Sequence, residues 1–519
     1  MNRRELLKSA AGLAGAAAMS RRGWAGEVET YAELIALEGR LARDPRRPQF
    51  HLLPKRNWMN DPNGPVYWDG RYHMFFQYNP QAAVWGDMHW GHAMSEDMVH
   101  WEHLPVALAP TPGGPDAAGC FSGSAVIDQG VVTVMYTGVV KAPESEATIR
   151  DGANSLRESQ CLATATGMNL TAWKKVPQAV IPAPPPGIKV AGFRDPSPWK
   201  SGDWWYVAVG SGVLGKGGRV LLYRSKDLRN WEYLHFGASG PWSGKQTANP
   251  VGDGEMWECP DLFPLDGKHV LIYSSMGQVH WQTGVLDEAA MKFHPEKAGV
   301  LDYGAYYAAK TQTDKHGRRI VWGWIPERRP EAEYSAAGWA CMMSLPRVLR
   351  LRPDGDLSIE VDEAVHQLRL DEQRLAPGQD ANMNLNRFLI SRATGELSGR
   401  FARGGKPFAV QLMGRLASGE LNEPLVKIAY DPARPGEVLA DGKAIPIAGP
   451  HTQALEIHIY VDGSVAEVML QGTAAYTKRF YYAGDVAPDV WVKVDGPEGT
   501  VRDLRVWQLE PISPDRLTS

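Results

Sequence analysis

An all-β protein, a five-bladed β-propeller followed by a C-terminal β-sandwich, is what this sequence predicts, and three observations predict it. The chain is dense in turn formers, with 54 glycines and 38 prolines among 519 residues, yet 44% of it is hydrophobic. That combination fits a globular protein of many short strands rather than a disordered chain. A motif also repeats: Ser95-x-Asp97-x-x-x-Trp101 matches Ser225-x-Asp227-x-x-x-Trp231 position for position, with a looser echo from Thr166-Gly167 through Leu170 to Trp173. Each copy follows a hairpin pattern, and hairpins of like shape start near Asn60, Phe121, Arg194, Glu258 and Tyr307. Five similar units of four short strands describe a propeller, whose radial closure protects strand edges and whose first strands line a central channel. A chain this long exceeds the ~250–300 residues one core supports, so a second unit is expected.

Each segment follows in order. Asn2-Arg3-Arg4 precedes a weakly apolar stretch, 9–19, and then Arg21-Arg22. This is the layout of an export signal of the twin-arginine type over residues 1–26, cleaved between Ala18 and Gly26, its apolar part too short to span a membrane. Periplasmic or extracellular placement is the expectation. Residues 27–47 read as a lead-in helix and linker, with Tyr31, Leu34, Ile35 and Leu41 at near-helical spacing and Asp44-Pro45 ending it. The propeller is expected over 48–349, beginning with two β-rich runs joined by Asp69-Gly70, a hairpin dipeptide. The proline-rich piece 181–187 reads as a surface loop. Residues 350–365 read as a connector. Over 366–519 the tryptophans nearly vanish until Trp491 and Trp507, and β-rich runs at 408–412, 455–461, 464–470 and 490–494 suggest the sandwich.

Charge and cysteine content exclude several function classes. With 55 basic against 59 acidic residues, and no long run of one sign, the footprint of a nucleic-acid or anionic-membrane binder is missing. Four cysteines, Cys120, Cys161, Cys259 and Cys341, have no paired spacing and read as free, buried thiols. Gly210-x-Gly212-x-x-Gly215 imitates a dinucleotide fingerprint, but 219–223 reads as a strand where such a site needs a helix. His89, His92, His100 and His103 crowd together, yet no metal signature accompanies them, and they read as structural polar contacts.

Three acids head three of the five units. Asp61 lies in Trp58-Met59-Asn60-Asp61-Pro62-Asn63-Gly64-Pro65, where prolines and turn formers fix the backbone as a carboxylate nucleophile requires. Asp195, in Phe193-Arg194-Asp195-Pro196, repeats the acid-then-proline order, with Arg194 placed to hold it ionised. Glu258, between Trp257 and Cys259, has the apolar flanks that favour a proton donor. Singly, each has an ordinary reading: an Asx turn, a structural ion pair, a solvated strand start. Together on one ring, two opposed carboxylates and a third for binding are the equipment of glycoside cleavage.

The chain resembles glycoside hydrolase family 32, the invertases, inulinases, levanases and plant cell-wall β-fructosidases. The resemblance is carried by Asn60-Asp61-Pro62-Asn63-Gly64, Gln77-Tyr78-Asn79-Pro80, Trp85-Gly86 with Met88-His89-Trp90-Gly91-His92, Phe121-Ser122-Gly123-Ser124, Arg194-Asp195-Pro196 and Glu258-Cys259-Pro260. Asp302-Tyr303-Gly304, Tyr307-Ala308-Ala309-Lys310 and Trp322-Gly323-Trp324 add to it, so that it covers about 48–346. It implies a retaining β-fructofuranosidase with Asp61 as nucleophile, Glu258 as acid/base and Asp195 as the carboxylate that binds fructose hydroxyls. Asn60, Gln77, Trp85, Phe121, Ser122, Arg194 and Trp324 would line the fructose pocket. Asp87 departs from the family's usual Asn. The implied partner is a small or polymeric fructoside, with no cofactor, metal, nucleic acid or membrane span. Fructosyl transfer on the same scaffold, or a non-catalytic fructan-binding propeller, are the alternatives.

Overall fold

The computed structural model describes residues 31–150, 155–240, 242, 244, 249–375, 388–415, 421–450, 453–482 and 489–517; the signal read over 1–26 lies outside them. Five sheets of four successive antiparallel strands occupy 57–108, 119–175, 190–239, 258–302 and 307–361. Their first strands are Asn57–Trp68, Gly119–Asp128, Val190–Ser201, Glu258–Leu265 and Tyr307–Thr313, at the five starts the hairpin spacing predicts. These inner strands neighbour one another in cyclic order, the fifth against the first.

What closes the ring is apolar packing at every seam. Strand residues alternate between faces, and both faces of each sheet are buried against a neighbour, so the strands carry large apolar side chains on both sides. Phe75 and Trp90 of the first sheet pack with Val134 and Tyr136 of the second. Met135 and Leu162 then meet Phe193 and Val207, and Tyr206 and Leu222 meet Trp257 and Leu271. Phe263 and Ile272 meet Val321 and Ile359. The last seam joins Met74 and Trp101 to Ile320 and Trp322, the two indoles edge to face at 5.6 Å.

A second device fastens the same seam. Between the second and third strands of the fifth sheet the chain makes an excursion through a short helix, Glu331–Ala337, and a two-residue strand, Trp339–Ala340. That strand pairs in parallel with Asn57 and Trp58 of the first inner strand, while Met342–Met343 returns to the fifth sheet. The two sheets are thereby stitched by backbone hydrogen bonds.

The stretch 350–365, read as a connector, differs in the structure. Leu357–Val361 is the outer strand of the fifth sheet, paired with Arg347–Leu351 through a turn at Pro353-Asp354-Gly355. The change of composition there marks a hairpin turn, not a boundary. The lead-in helix spans Tyr31–Arg43, but its buried residues are Leu37 and Leu41, and Ile35 is exposed. Leu37 and Leu41, four apart, dock on Leu53, Ile325, Trp339 and Val465, and Ile35 falls outside that stripe.

The C-terminal unit is two facing sheets. One carries Ala474–Arg479, Val465–Leu470, Leu455–Asp462, Thr394–Phe401, Val501–Leu509 and Arg369–Arg374 in that order, the other the six strands between 389 and 495 that remain. Leu397, Phe401, Val410, Leu412, Ile428, Ile459 and Val468 fill the space between them. A fully buried charge network joins this unit to the propeller. Arg347 bridges Asp302 (2.9 Å) and Glu467, and His51 bridges Asp462 (2.8 Å) and Glu467 (3.0 Å).

Candidate active site

Register breaks recur at one level of the inner strands. Pairing skips between Met59 and Pro62, Phe121 and Gly123, Arg194 and Ser197, Glu258 and Asp261, and Tyr307 and Lys310. Each skip is a β-bulge, in which extra residues on the inner strand face fewer on its partner, so a side chain that simple alternation would bury in a seam is re-aimed. Asp195, Cys259 and Ala308, just after the last paired residue in three sheets, adopt left-handed backbone with φ of 65°, 49° and 53°. Such non-glycine conformations cost energy and persist where the surroundings over-determine them.

Asp61 is held from two sides. Its Oδ1 accepts from Asn60 Nδ2 (3.0 Å), and Asn60 is itself fixed by Trp58 Nε1 (2.8 Å). Its Oδ2 accepts from Ser122 Oγ at 2.6 Å across the first seam. Burial raises the Asp61 carboxyl above its ordinary range; the Ser122 and Asn60 hydrogen bonds oppose this, and the Glu258 charge adds to it. Asp195 Oδ2 accepts from the backbone N–H of Cys259 (2.9 Å), and its own N–H donates to Thr137 Oγ1 (2.8 Å). Burial also raises Asp195, against the pull of Arg194. Cys259 Sγ lies 3.5 Å from Asp195 Oδ2 and 3.7 Å from Asp61 Oδ2, so one sulfur touches both acids. Its burial and those two charges keep it a thiol.

Glu258 stands in a polar setting, contrary to the apolar one its flanks suggest. Arg194 Nε and Nη2 both donate to Oε1, at 2.9 and 2.8 Å, and Tyr307 Oη donates to Oε2 at 2.9 Å. Trp257 turns away and stacks on Tyr273 with ring centroids 3.7 Å apart. Arg194 likewise departs from expectation: its hydrogen bonds go to Glu258 and to buried Glu158, not to Asp195, because consecutive side chains on a strand diverge.

The other expected pocket residues have the following surroundings. Gln77 is buried and donates to the Cys120 carbonyl (2.9 Å). Trp85 meets Phe121 edge to face at 5.8 Å, and half-buried Trp324 lies between Trp58 (6.2 Å) and Tyr307 (6.5 Å). Asp87 is exposed. Tyr307 was within reach of sequence reasoning through its motif, but Glu158 and Thr137 lie outside every inner strand and motif.

Of the decoys, Gly210 to Gly215 runs into the strand Gly217–Ser225, leaving no helix for a dinucleotide. His73 and His92 share a hydrogen bond (2.9 Å), and His100 binds Asp97 in its turn. All four cysteines are free and buried. A histidine–carboxylate trio the sequence did not signal, His366, Glu396 and His458, forms in the C-terminal unit. Its Glu396 is already engaged on both oxygens by the Arg369 guanidinium. No helix of the described residues is long and apolar enough to cross a membrane.

Residues 51–360 match the glycosyl hydrolases family 32 N-terminal domain. A sucrose-6-phosphate hydrolase of Escherichia coli is 35% identical over 479 residues, covering 87% of this chain and 94% of that protein. A raffinose invertase of Escherichia coli is 34% identical over 84% of this chain and 90% of its own. Among solved structures, a Bombyx mori β-fructofuranosidase aligns with a TM-score of 0.74 at 29% identity, covering 93% of this chain and 98% of that one. Fructan 1-exohydrolase IIa of Cichorium intybus aligns with a TM-score of 0.71 at 25% identity, over 90% and 98%.

Proposed function

The chain belongs to glycosyl hydrolase family 32 and is a glycosidase that hydrolyses fructosyl bonds, and from that premise we propose that Asp61 is its nucleophile and Glu258 its acid/base. Asp61 attacks the anomeric carbon of a terminal β-fructofuranosyl unit while the bond to the leaving sugar breaks and its oxygen takes the Glu258 proton. Water then attacks the fructosyl-enzyme, Glu258 takes a proton from it, and the Asp61 ester bond breaks to free fructose with retained configuration. Asp195 binds fructose hydroxyls and steadies the oxocarbenium-like transition state. Asn60, Gln77, Trp85, Phe121, Ser122, Arg194 and Trp324 line the fructose pocket.

The observation that carries this reading is the division of labour between the two carboxylates. Asp61 is immobilised by Asn60 and Ser122 as in-line attack requires, and Glu258, on the fourth inner strand, is gripped by Arg194 and Tyr307 from the two inner strands that flank it. Sucrose and fructans are the substrate class; the Bombyx mori and Cichorium intybus relatives have been solved with sucrose and 1-kestose. Hydrolysis outweighs fructosyl transfer because the residues named here contact fructose rather than an acceptor.

The test is kinetic. At millimolar sucrose, free glucose and fructose should appear in equal amounts, and Asp61→Ala and Glu258→Ala should each lower kcat by ~3 or more orders of magnitude without unfolding. A fructose deficit with trisaccharide products would overturn the hydrolase reading, and wild-type turnover in either variant would overturn that residue's role. Arg3 and Arg4 support export through a receptor that reads the pair; with both changed to Lys, folded active enzyme should accumulate in the cytoplasm.

A further inference from the structure

Glu158 is a buried carboxylate that the reaction above leaves unused. It sits on Leu156–Ala165, the third strand of the second sheet, and its side chain is fully buried. Its oxygens take different partners: Oε1 accepts from Arg194 Nη1 at 2.8 Å, and Oε2 accepts from the backbone N–H of Phe193 at 2.7 Å. Two residues on, on the same face, Gln160 Nε2 donates to the Phe193 carbonyl at 2.9 Å. A strand outside the channel therefore grips the third inner strand at both backbone groups of the residue before Arg194.

Arg194 is left bridging two carboxylates, Glu158 behind it and Glu258 in the channel. A guanidinium devoted to one carboxylate strongly favours that carboxylate's ionised form, which a proton donor cannot afford; a second anion on the far side divides its pull. We propose that Glu158 is a positioning residue that governs, through Arg194, how readily Glu258 keeps the proton it delivers to the leaving sugar. The inference rests on Glu258 being the acid/base. The other groups facing Glu258 do not replace this function. Asp61 and Asp195 are committed to Ser122, Asn60 and the Cys259 backbone, and Tyr307 and Cys259 are held neutral by burial.

Glu158→Gln tests it, because the amide keeps the shape and removes the charge. With that anion gone, Arg194 acts on Glu258 alone and the donor form is lost at lower pH. The alkaline limb of kcat/KM on sucrose should fall by about one pH unit, the acid limb set by Asp61, which is tied to Asn60 and Ser122 rather than to Arg194, should move less, and kcat at the optimum should drop ~tenfold. A residue that only packs would lower kcat and Tm and leave both limbs in place; that result, or an alkaline limb moved upward, overturns the proposal. Should the single variant not fold, the same change is made beside Arg194→Gln, which neutralises both members of the buried Glu158–Arg194 pair. Because Glu158 acts through Arg194, the double variant's alkaline limb must coincide with that of Arg194→Gln alone, itself raised above the wild type's; a shift between the two, or an Arg194→Gln limb at the wild-type position, overturns the proposal. Glu258→Gln is read in parallel. If it keeps the wild-type alkaline limb, the acid/base assignment fails, whatever Glu158 does.

Discussion

Ser122 donates to the Asp61 oxygen at 2.6 Å, and this single contact ties the reactivity of a residue on the first sheet to the position of the second. Burial pushes the Asp61 carboxyl up and Ser122 pulls it back, so removing the hydroxyl lets burial win. Attack by Asp61 requires its ionised form; in Ser122→Ala the acid limb of kcat/KM should therefore move to higher pH, with kcat reduced ~tenfold. An acid limb that stays in place, measured on folded protein, would show that Asp61 draws its ionisation from elsewhere. Cys259, whose sulfur touches both Asp61 and Asp195, was visible in the sequence only as a flank of Glu258. Its contact with Asp61 joins residues on the first and fourth sheets, a proximity no linear spacing encodes.

The strands themselves were legible because their chemistry is local. Asp69-Gly70 turns the first hairpin with φ of 47° and 79°, the pair of positive values a two-residue hairpin demands, and that dipeptide can be recognised unaided. The bulges were not legible. Two residues opposite one are invisible to a reading based on alternation, and they are what bring Asp61, Asp195 and Glu258 together. The fifth sheet's outer strand was missed for a related reason: Pro353-Asp354-Gly355 looks the same whether it ends a domain or turns a hairpin. Gly64 shows how tightly the bulged element is fitted. Its φ is +45°, and a Cβ added there would lie 2.7 Å from the Ala125 backbone nitrogen, three residues past Ser122. Gly64→Ala should cost about 2–4 kcal/mol in urea unfolding and reduce activity by displacing Ser122 from Asp61. An unchanged midpoint would mean the two inner strands can separate freely, which the seam packing forbids.

Across the whole molecule, stability at the junction of the two units has two opposite pH edges. Burial alone would lower the His51 pKa, but its hydrogen bonds to Asp462 and Glu467 raise it to about 9. The stabilisation from protonated His51 is full below the unfolded value near 6.5 and is lost as pH rises through about 9. Burial would raise Glu467, but Arg347 and His51 bring it down to about 2, so its contribution is present above ~4.5 and lost as pH falls through about 2. Tm should form a plateau between these edges, and Glu467→Gln, which takes one of two carboxylate partners from each of Arg347 and His51, should cost about 1–3 kcal/mol. A Tm that kept rising through the alkaline edge would contradict the assignment of a charged His51. The parallel pairing of Trp339–Ala340 with Asn57 and Trp58 has a consequence for biosynthesis. The strand that carries Asp61 leaves the ribosome early, but the strand that pairs with its inner edge comes from the fifth sheet, near the end of the propeller. A nascent chain halted after four sheets thus holds all three proposed catalytic acids beside an unlatched gap, and catalysis should switch on abruptly, not by degrees, as residues 339–343 emerge and shut the circle.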